Sequence, residues 1–269
     1  MKKLMLLAVA AVTAITVSAQ SFEDFFSTQK SPEKVTVGVR MGLNINGMRN
    51  NIDNHVVSAA FGYLPYKLNV HNKAGINLGV NVDIPILRNL WINTGVYYSS
   101  TGAKMKFTQN FFEDYDGILT EYSANLTMHN VRVPVQASYR YTFNDKYQIQ
   151  VNLGPYFAYG FGGKVSVKND MNGNSLGKID LTGNPKVIEP ESDESIILGE
   201  TNINPNKSNY INPFDMGISI GAGVTLLKKY YAGINYDAGL VNVNGKRAVA
   251  LNHYKIKNHV FSINVGYNF

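Results

Sequence analysis

Three arginines and two aspartates lie inside otherwise apolar segments of the sequence. Each of the five has a hydrophobic residue on both sides. Charges removed from water are tolerated when they are paired and hydrogen-bonded. The pattern therefore predicts an internal ion-pair network, and the alternative is a charged ring that selects ions in a pore. The five residues are Arg40, Asp83, Arg132, Arg140 and Asp237.

The histidines are the candidate general bases and metal ligands of this cysteine-free chain. Their spacing is not that of metal ligands, and no motif fixes a Ser or Asp beside any of them. Because most fall in or beside predicted loops, solvated histidines are favoured over catalytic ones. We therefore predict no enzyme activity, no metal and no cofactor. The histidines are His55, His71, His129, His253 and His259.

Two further segments contain possible cation ligands. Residues 170–174 resemble a fragment of a calcium loop but lack the spacing and closing Glu of an EF-hand, so a Gly-Asn turn is favoured. Glu189, Glu191, Asp193 and Glu194 form an acidic stretch. A solvated loop is the favoured interpretation there, with a site for a cation or basic partner as the alternative.

The elements that must position these residues are strands. Eight segments alternate between apolar residues on one face and small or polar residues on the other. Since the apolar faces carry almost no charge, they suit lipid outside and a polar interior. A soluble β-sandwich is the alternative, but its outer faces would need charge. The predicted strands cover residues 35–45, 75–86, 90–107, 124–143, 147–165, 215–227, 230–241 and 261–269.

The connections between these segments alternate in length. Tight turns fall near 88–89, 144–146 and 228–229, whereas long segments cover about 46–74, 108–123, 166–214 and 242–255. This alternation is typical of bacterial outer-membrane barrels, whose short turns are periplasmic. The sequence therefore predicts an all-β fold, an eight-stranded antiparallel up-and-down transmembrane β-barrel with short periplasmic turns and long extracellular loops. Little regular structure is expected in the 166–214 segment.

The first residues have the composition of a secretory signal peptide. Two lysines precede an apolar run over 4–17, and Val17-Ser18-Ala19 supplies a cleavage site before Gln20. The run is shorter than the ~20 residues that span a bilayer as a helix. We therefore predict a signal peptide over 1–19, a periplasmic leader over 20–34 and a barrel over 35–269 in the outer membrane.

Charge and the closing segment suggest the partners. Removal of Lys2 and Lys3 with the signal peptide leaves 23 basic and 19 acidic residues, a net charge of +4. This excess suits anionic lipid headgroups and is too small to indicate nucleic acid. The chain ends on Phe269, and terminal aromatic strands resemble the signal that the barrel-assembly machinery recognises. Outer-membrane lipid and that machinery are the expected partners, and the barrel is expected to be monomeric.

Aromatic residues cluster beside the predicted short turns. Side chains of this type form belts at the edges of a membrane. We therefore predict an outward-facing periplasmic girdle of Trp91, Phe143, Tyr147, Tyr230 and Phe269.

Glycine is frequent at the predicted inward positions, for example Gly38, Gly79 and Gly217. Eight strands enclose a space just wide enough for side chains. The glycines are therefore expected to make room for bulky inward residues such as Tyr97 and Tyr156. A glycine-lined cavity for a small amphiphile is the alternative.

Several segments resemble the PorT family of small outer-membrane β-barrels. They include the T-G-x-x-Y-x-x-x-G-x-K pattern within residues 93–105, the segments 79–86 and 131–141 with inward Pro134, and Gly154-Pro155-Tyr156 within 151–165; the closing strand joins them. The resemblance implies an integral outer-membrane protein, and one branch of the family is tied to protein secretion through the type IX system.

These motifs are barrel-building residues, so the resemblance implies fold and location and no particular activity. A non-enzymatic structural or interaction role is expected, with an envelope or secretion-complex protein as partner. The alternative is a barrel that binds or passes a small amphiphilic ligand.

Overall fold

The computed structural model describes residues 31, 33–50, 66–110, 119–143, 146–170, 173, 175–180, 187–188, 212–243 and 255–269. The predicted signal peptide and most of the predicted leader lie outside these ranges. All regular structure within them is β-strand, and no helix there is long and apolar enough to cross a membrane. The strands are β1 (Thr36–Asn50), β2 (Tyr66–Pro85), β3 (Leu90–Asn110), β4 (Leu119–Phe143), β5 (Tyr147–Asn169), β6 (Ser175–Asp180), β7 (Val187–Ile188), β8 (Phe214–Leu226), β9 (Tyr230–Gly239) and β10 (Ile256–Asn268).

Eight of these strands form a closed antiparallel ring in the order β1-β2-β3-β4-β5-β8-β9-β10. The last strand pairs with the first, from Gly38↔Asn268 to Asn50↔Ile256. Closure leaves no unpaired sheet edge within the ring. The chain therefore adopts the predicted eight-stranded up-and-down topology.

Two short strands lie outside the ring. β6 pairs with the far end of β5, and β7 pairs with β6. The expectation of little regular structure over 166–214 is therefore wrong at these positions. The physical reason is that β5 continues beyond the ring, and the backbone groups along its free edge need hydrogen-bond partners.

The two faces of the ring differ in polarity as the alternation predicts. Leu43, Val96 and Ile263 are among many exposed apolar residues on the outer face, whereas Asn44 and Asp83 are fully buried inside. A soluble barrel would have the reverse arrangement, with its apolar residues inside. The ring is therefore built for apolar surroundings and a polar interior.

The predicted short turns all lie at one end of the ring. Between β8 and β9, the amide of Lys229 donates to the carbonyl of Leu226 over 3.0 Å. Leu227 and Lys228 have φ of 54° and 58°, the values of a type I′ turn. This turn matches the twist of a hairpin, but each non-glycine residue in that conformation costs roughly 1 kcal/mol.

The ring strands differ greatly in length. β2, β3, β4 and β5 contain 20, 21, 25 and 23 residues, whereas β8, β9 and β10 contain 13, 10 and 13. A tilted strand crosses a membrane with about 9–11 residues. Strands β2–β5 therefore continue beyond the ring's apolar band, and their outermost residues, 66–74, 108–110, 119–123 and 166–169, fall in segments predicted as loops. We call this continuation the tall wall, formed by residues 66–76, 99–110, 119–129 and 161–169.

Candidate functional site

A buried carboxylate organises the interior near the short-turn end. Asp83 is 0% exposed, and its Oδ1 lies 2.7 Å from Arg140 Nη2 while its Oδ2 lies 4.0 Å from Arg40 Nη2. Asn93 donates to Oδ1 over 2.6 Å, and Asn81 donates to Oδ2 over 3.2 Å. One carboxylate therefore lies between two arginines and accepts two amide hydrogen bonds.

A second cluster surrounds Asp237. Arg132 Nη2 donates to Asp237 Oδ1 over 2.6 Å, and Ser219 and Asn235 donate to the same oxygen over 2.6 and 2.7 Å. Gln136 donates to the Ser219 hydroxyl oxygen over 2.9 Å. Strands β4, β8 and β9 are tied together across the interior by these bonds.

The structure thus places all five predicted charged residues inside the ring. It divides them into two clusters, Arg40–Asp83–Arg140 and Arg132–Asp237. The closer pairs have the short distances of charge-assisted contacts, and low polarity around buried pairs strengthens them.

Each of the three arginines also lies over an aromatic ring. The guanidinium carbons of Arg40, Arg132 and Arg140 lie 4.3, 5.1 and 4.5 Å from the ring centroids of Tyr231, Tyr156 and Trp91, respectively. Such cation–π contacts stabilise a guanidinium group that is removed from water. Sequence reasoning did not identify Tyr231, although outward Tyr230 next to it implied an inward side chain.

The placement of Trp91 corrects the prediction that it belongs to the outward girdle. Its side chain is 2% exposed and lies inside, against Arg140. The residues on either side, Leu90 and Ile92, are the outward ones, at 37% and 36% exposed. Because side chains alternate along a strand, Trp91 must point inward.

The other predicted girdle residues lie at the short-turn end of the outer face. Tyr147, Tyr230 and Phe269 are exposed, and Phe143 packs edge-on against Tyr141 at a centroid distance of 4.5 Å. Tyr267 was not predicted as a girdle residue. Its ring centroid lies 5.5 Å from that of Tyr230 and 5.4 Å from that of Phe269. A role for this row at a lipid interface stays a prediction.

A third inward carboxylate was also missed. Asp215 Oδ2 accepts a hydrogen bond from Asn258 over 3.0 Å and one from the Tyr156 hydroxyl over 3.3 Å. Its position beside apolar Met216, within the alternating segment predicted as a strand over 215–227, was the signal that could have identified it. Asp215 is therefore held by neutral donors, and the ion pairs of the three inward arginines are with Asp83 and Asp237.

A polar cavity of about 60 Å³ lies between the two clusters, with Arg40, Arg132 and Asn264 in its lining. It has room for a few water molecules. The inward glycines do not enlarge it, because a Cβ at Gly79 would lie 2.6 Å from the Tyr97 ring and one at Gly223 2.6 Å from the Tyr231 ring. At these positions glycine makes room for neighbouring side chains.

The candidate metal and catalytic residues remain scattered. Within the described ranges, no three His, Asp or Glu residues are grouped to hold a metal ion. His129 Nδ1 lies 2.6 Å from the Tyr98 hydroxyl, and Asp170 contacts Ser123 and Lys106 over 2.7 and 3.8 Å. His55, His253 and the acidic stretch over 189–194 lie outside the described residues, as do 171–172 and 174 of the calcium-like fragment.

The interior changes character in the tall wall. Leu126 and Met128 are buried there and are packed against Met48, Met105 and Val165. Along the same strands, the polar interior near Asp83 and Asp237 therefore changes to an apolar interior in the tall wall.

A closed ring with an apolar outer band and a buried, ion-paired interior defines a transmembrane barrel of the outer-membrane class. The outer membrane protein beta-barrel domain family matches residues 19–245, and the chain belongs to this family. The protein is therefore an eight-stranded outer-membrane β-barrel with short periplasmic turns and long extracellular loops, so the tall wall stands on the extracellular side.

Three solved structures illustrate what the chain is similar to. Ail, the attachment invasion locus protein of Yersinia pestis, has 12% identity over 88% of this chain and 100% of its own, with a TM-score of 0.36. Neisserial surface protein A has 9% identity over 88% and 100%, with a TM-score of 0.38. OprG from Pseudomonas aeruginosa has 10% identity over 90% and 97%, with a TM-score of 0.37. No curated protein matches the chain in sequence.

Proposed function

We propose that this barrel is a non-enzymatic, PorT-type interaction protein of the cell envelope. Its packed interior serves as a rigid support, and its extracellular wall and loops engage a partner protein. The observation that carries the proposal is the combination of an interior occupied by buried ion pairs with a wall that continues beyond the membrane.

The interior argues for a support and against a conduit. The cavity between the Asp83 and Asp237 clusters measures only about 60 Å³. Eight-stranded barrels are just wide enough for their own side chains, whereas porins need 16 or so strands for an aqueous channel. The lumen ion pairs therefore act as a plug.

Single-channel recording in planar bilayers tests the plug. The purified barrel is expected to give no stable, large openings, since Arg132 and Asp237 join β4 to β9 across the lumen. Reproducible large openings would contradict a plugged lumen.

The tall wall supports a role outside the membrane. Its strands are paired along the sheet from β2 to β5, and β6 continues the sheet past β5. An ordered sheet on the extracellular side offers a stable surface to a partner, and function tends to concentrate on such parts of a scaffold.

Site-specific photo-crosslinking in intact envelopes tests the partner. A photoreactive residue in place of Asn125, on the outer face of the tall wall, is expected to trap a reproducible protein adduct. A second probe in place of Lys229, in the periplasmic β8–β9 turn, provides the matched control. Recovery of the uncrosslinked barrel alone from both positions would contradict the proposal, and an adduct only at Lys229 would move the partner to the periplasmic mouth.

Two further elements of the proposal concern export and secretion. Cleavage before Gln20 by the export pathway is tested by N-terminal sequencing of the mature protein. A link to protein secretion follows from the PorT resemblance alone. A deletion strain that secretes normally but has a weakened envelope would support a structural role without secretion.

The alternative function, binding or passage of a small amphiphile, draws support from the apolar cluster around Leu126 and Met128. The small cavity argues against passage through the lumen. The space beside inward glycines is also already occupied by the rings of Tyr97 and Tyr231. Native mass spectrometry tests the remaining site: a retained small molecule that is lost in Leu126→Gln would support it, and none retained would contradict it.

A further inference from the structure

Lysines collect on the outer surface of the tall wall. Lys73 comes from β2, Lys104 and Lys106 from β3, and Lys164 and Lys168 from β5. All but Lys73 are exposed. We call Lys73, Lys104 and Lys164 the basic patch. None of the three makes an ion pair with a carboxylate among the described residues, whereas Lys106 meets Asp170 at 3.8 Å, and Lys168 lies four residues further along β5.

The basic patch begins where the lipid-facing band ends. Just below it, the rings of Tyr98, His129 and Phe161 form an aromatic cluster, with centroid distances of 5.9 to 6.4 Å. From His129 toward the extracellular end of β4, the next outward residue is Thr127. Lys164 on β5 is the direct partner of Thr127. Aromatic residues mark the membrane interface, so the lysines lie at the depth of the outer-leaflet headgroups.

Lys73 is fixed in place rather than free in solvent. Its Nζ donates to the carbonyl oxygen of Leu126 over 2.9 Å and contacts the Thr127 hydroxyl. A Cβ at Gly102 on the intervening strand, whose φ is 153°, would clash with the Leu126 carbonyl oxygen that accepts this bond and would lie 3.3 Å from Lys73 Cδ. The ammonium group therefore reaches across β3 to β4.

This arrangement concentrates positive charge. Thr127, which Lys73 Nζ contacts, is the direct partner of Lys164 on β5 and of Gly102 on β3, and Gly102 is two residues from Lys104, so the three lysines share one small area of the wall. Like charges held together favour an anion of matching spacing.

We propose that the basic patch binds the phosphate groups of a phosphorylated glycolipid of the outer leaflet, a lipid A-type molecule. Its acyl chains lie along the outward apolar residues of β3–β5, and its sugars contact the aromatic cluster. Charge, depth and the adjoining apolar wall together fit an amphiphile with an anionic head. This site does not depend on the partner role proposed above.

Binding is measured by native mass spectrometry of the full barrel in non-ionic detergent, titrated with bis-phosphorylated lipid A. The test variant is the triple change Lys73→Gln, Lys104→Gln and Lys164→Gln. Its matched control carries the same charge change at the periplasmic end, namely Lys34→Gln, Lys146→Gln and Lys229→Gln. Heat-dependent mobility in SDS gels shows whether each variant is folded.

We expect the test variant to bind at least about tenfold more weakly, because basic side chains near a membrane surface attract anionic headgroups. The periplasmic control should bind within about twofold of the wild type, since its charges lie several screening lengths away. A triple Lys→Arg version should retain binding, because the charges remain.

Further binding measurements distinguish a lipid phosphate from a soluble phosphate. Dephosphorylated lipid A should bind the wild-type barrel as weakly as bis-phosphorylated lipid A binds the test variant. Millimolar glucose 1-phosphate should not displace bis-phosphorylated lipid A from the wild-type barrel. Equal binding by the test variant and the wild type would overturn the proposal. So would equal binding of dephosphorylated lipid, or displacement by the soluble phosphate. If the triple variant fails to fold, the single change Lys164→Glu decides by the same criteria.

Discussion

Two parts of strand β4 follow the same alternation with opposite polarity. Within the membrane, Val131 and Val135 face outward, whereas Arg132 and Gln136 face inward. In the tall wall, Asn125 is exposed on the outer face, and Leu126 is buried on the inner face. The side-chain alternation of β4 continues unbroken between the two parts, although β5 has one extra residue, Phe161, opposite the step from His129 to Asn130. The outside environment alone has changed, from lipid to water.

The surroundings of the outer face determine which face of β4 is apolar in each part. Lipid cannot hydrogen-bond, so an outer face in contact with it must be apolar and the polar residues must lie inside. In water the hydrophobic effect places apolar residues inside, as in soluble proteins. The inversion between Asn130 and Met128 therefore marks the outer edge of the membrane on this strand.

The largest effect is expected from the membrane part of the interior. Asp83→Asn leaves Arg40 and Arg140 buried without a carboxylate, and breaking a buried pair in this way costs about 3–5 kcal/mol. Urea unfolding of the barrel in lipid vesicles measures the loss. The control Asp170→Asn makes the same change at an exposed pair, where roughly 1 kcal/mol or less is expected. Equal losses would mean that the interior is not an ion-paired plug.

A charge on the outer face tests the position of the membrane edge. Val135→Lys puts an ammonium group in lipid, and about 2–4 kcal/mol of stability should be lost near the midplane. Asn125→Lys, ten positions nearer the N-terminus on the same face, should change stability by about 0.5 kcal/mol or less. The same urea titration measures both. Similar costs at the two positions would contradict the inversion.

Truncation of the tall-wall interior tests whether that part behaves as a soluble core. Leu126→Ala removes a buried side chain that contacts an apolar cluster, and about 2–3 kcal/mol should be lost. Hydrogen exchange is the sharper measurement, because the amides of the tall wall should lose protection while those around Asp237 keep it. A uniform loss across both parts would indicate one cooperative interior.

The smallest effect is expected at the periplasmic turn, far from the inversion. Leu227→Asn with Lys228→Gly gives the sequence that type I′ turns favour, so the barrel should gain about 1 kcal/mol. Refolding and unfolding titrations measure the gain. Destabilisation would mean that Leu227, which is exposed, contributes a contact with lipid that outweighs the backbone strain.

The strands of the ring were predictable because alternation over a lipid-facing surface is a strong pattern. The outer ends of the tall wall were only partly predicted: the expected strands over 90–107, 124–143 and 147–165 reach into it, but residues 66–74, 108–110, 119–123 and 166–169 were assigned to loops. The polarity of the two faces inverts at Asn125 and Leu126, and beyond that point the outward-apolar pattern that marks a lipid-facing strand is lost. Trp91 was assigned by its nearness to a turn, although Leu90 and Ile92 already implied the correct side. The division of the charged residues into two clusters depends on distances between strands that sequence spacing does not contain.

The chain contains a single tryptophan, so tryptophan fluorescence reports on one position in the interior. Because Trp91 is held against a guanidinium group inside the lumen, its fluorescence would respond to closure of the barrel rather than to contact with lipid. Brominated acyl chains should quench it poorly, and its emission should shift only when β3 and β4 come together around Arg140. Folding of this barrel can therefore be followed from within, without an added label.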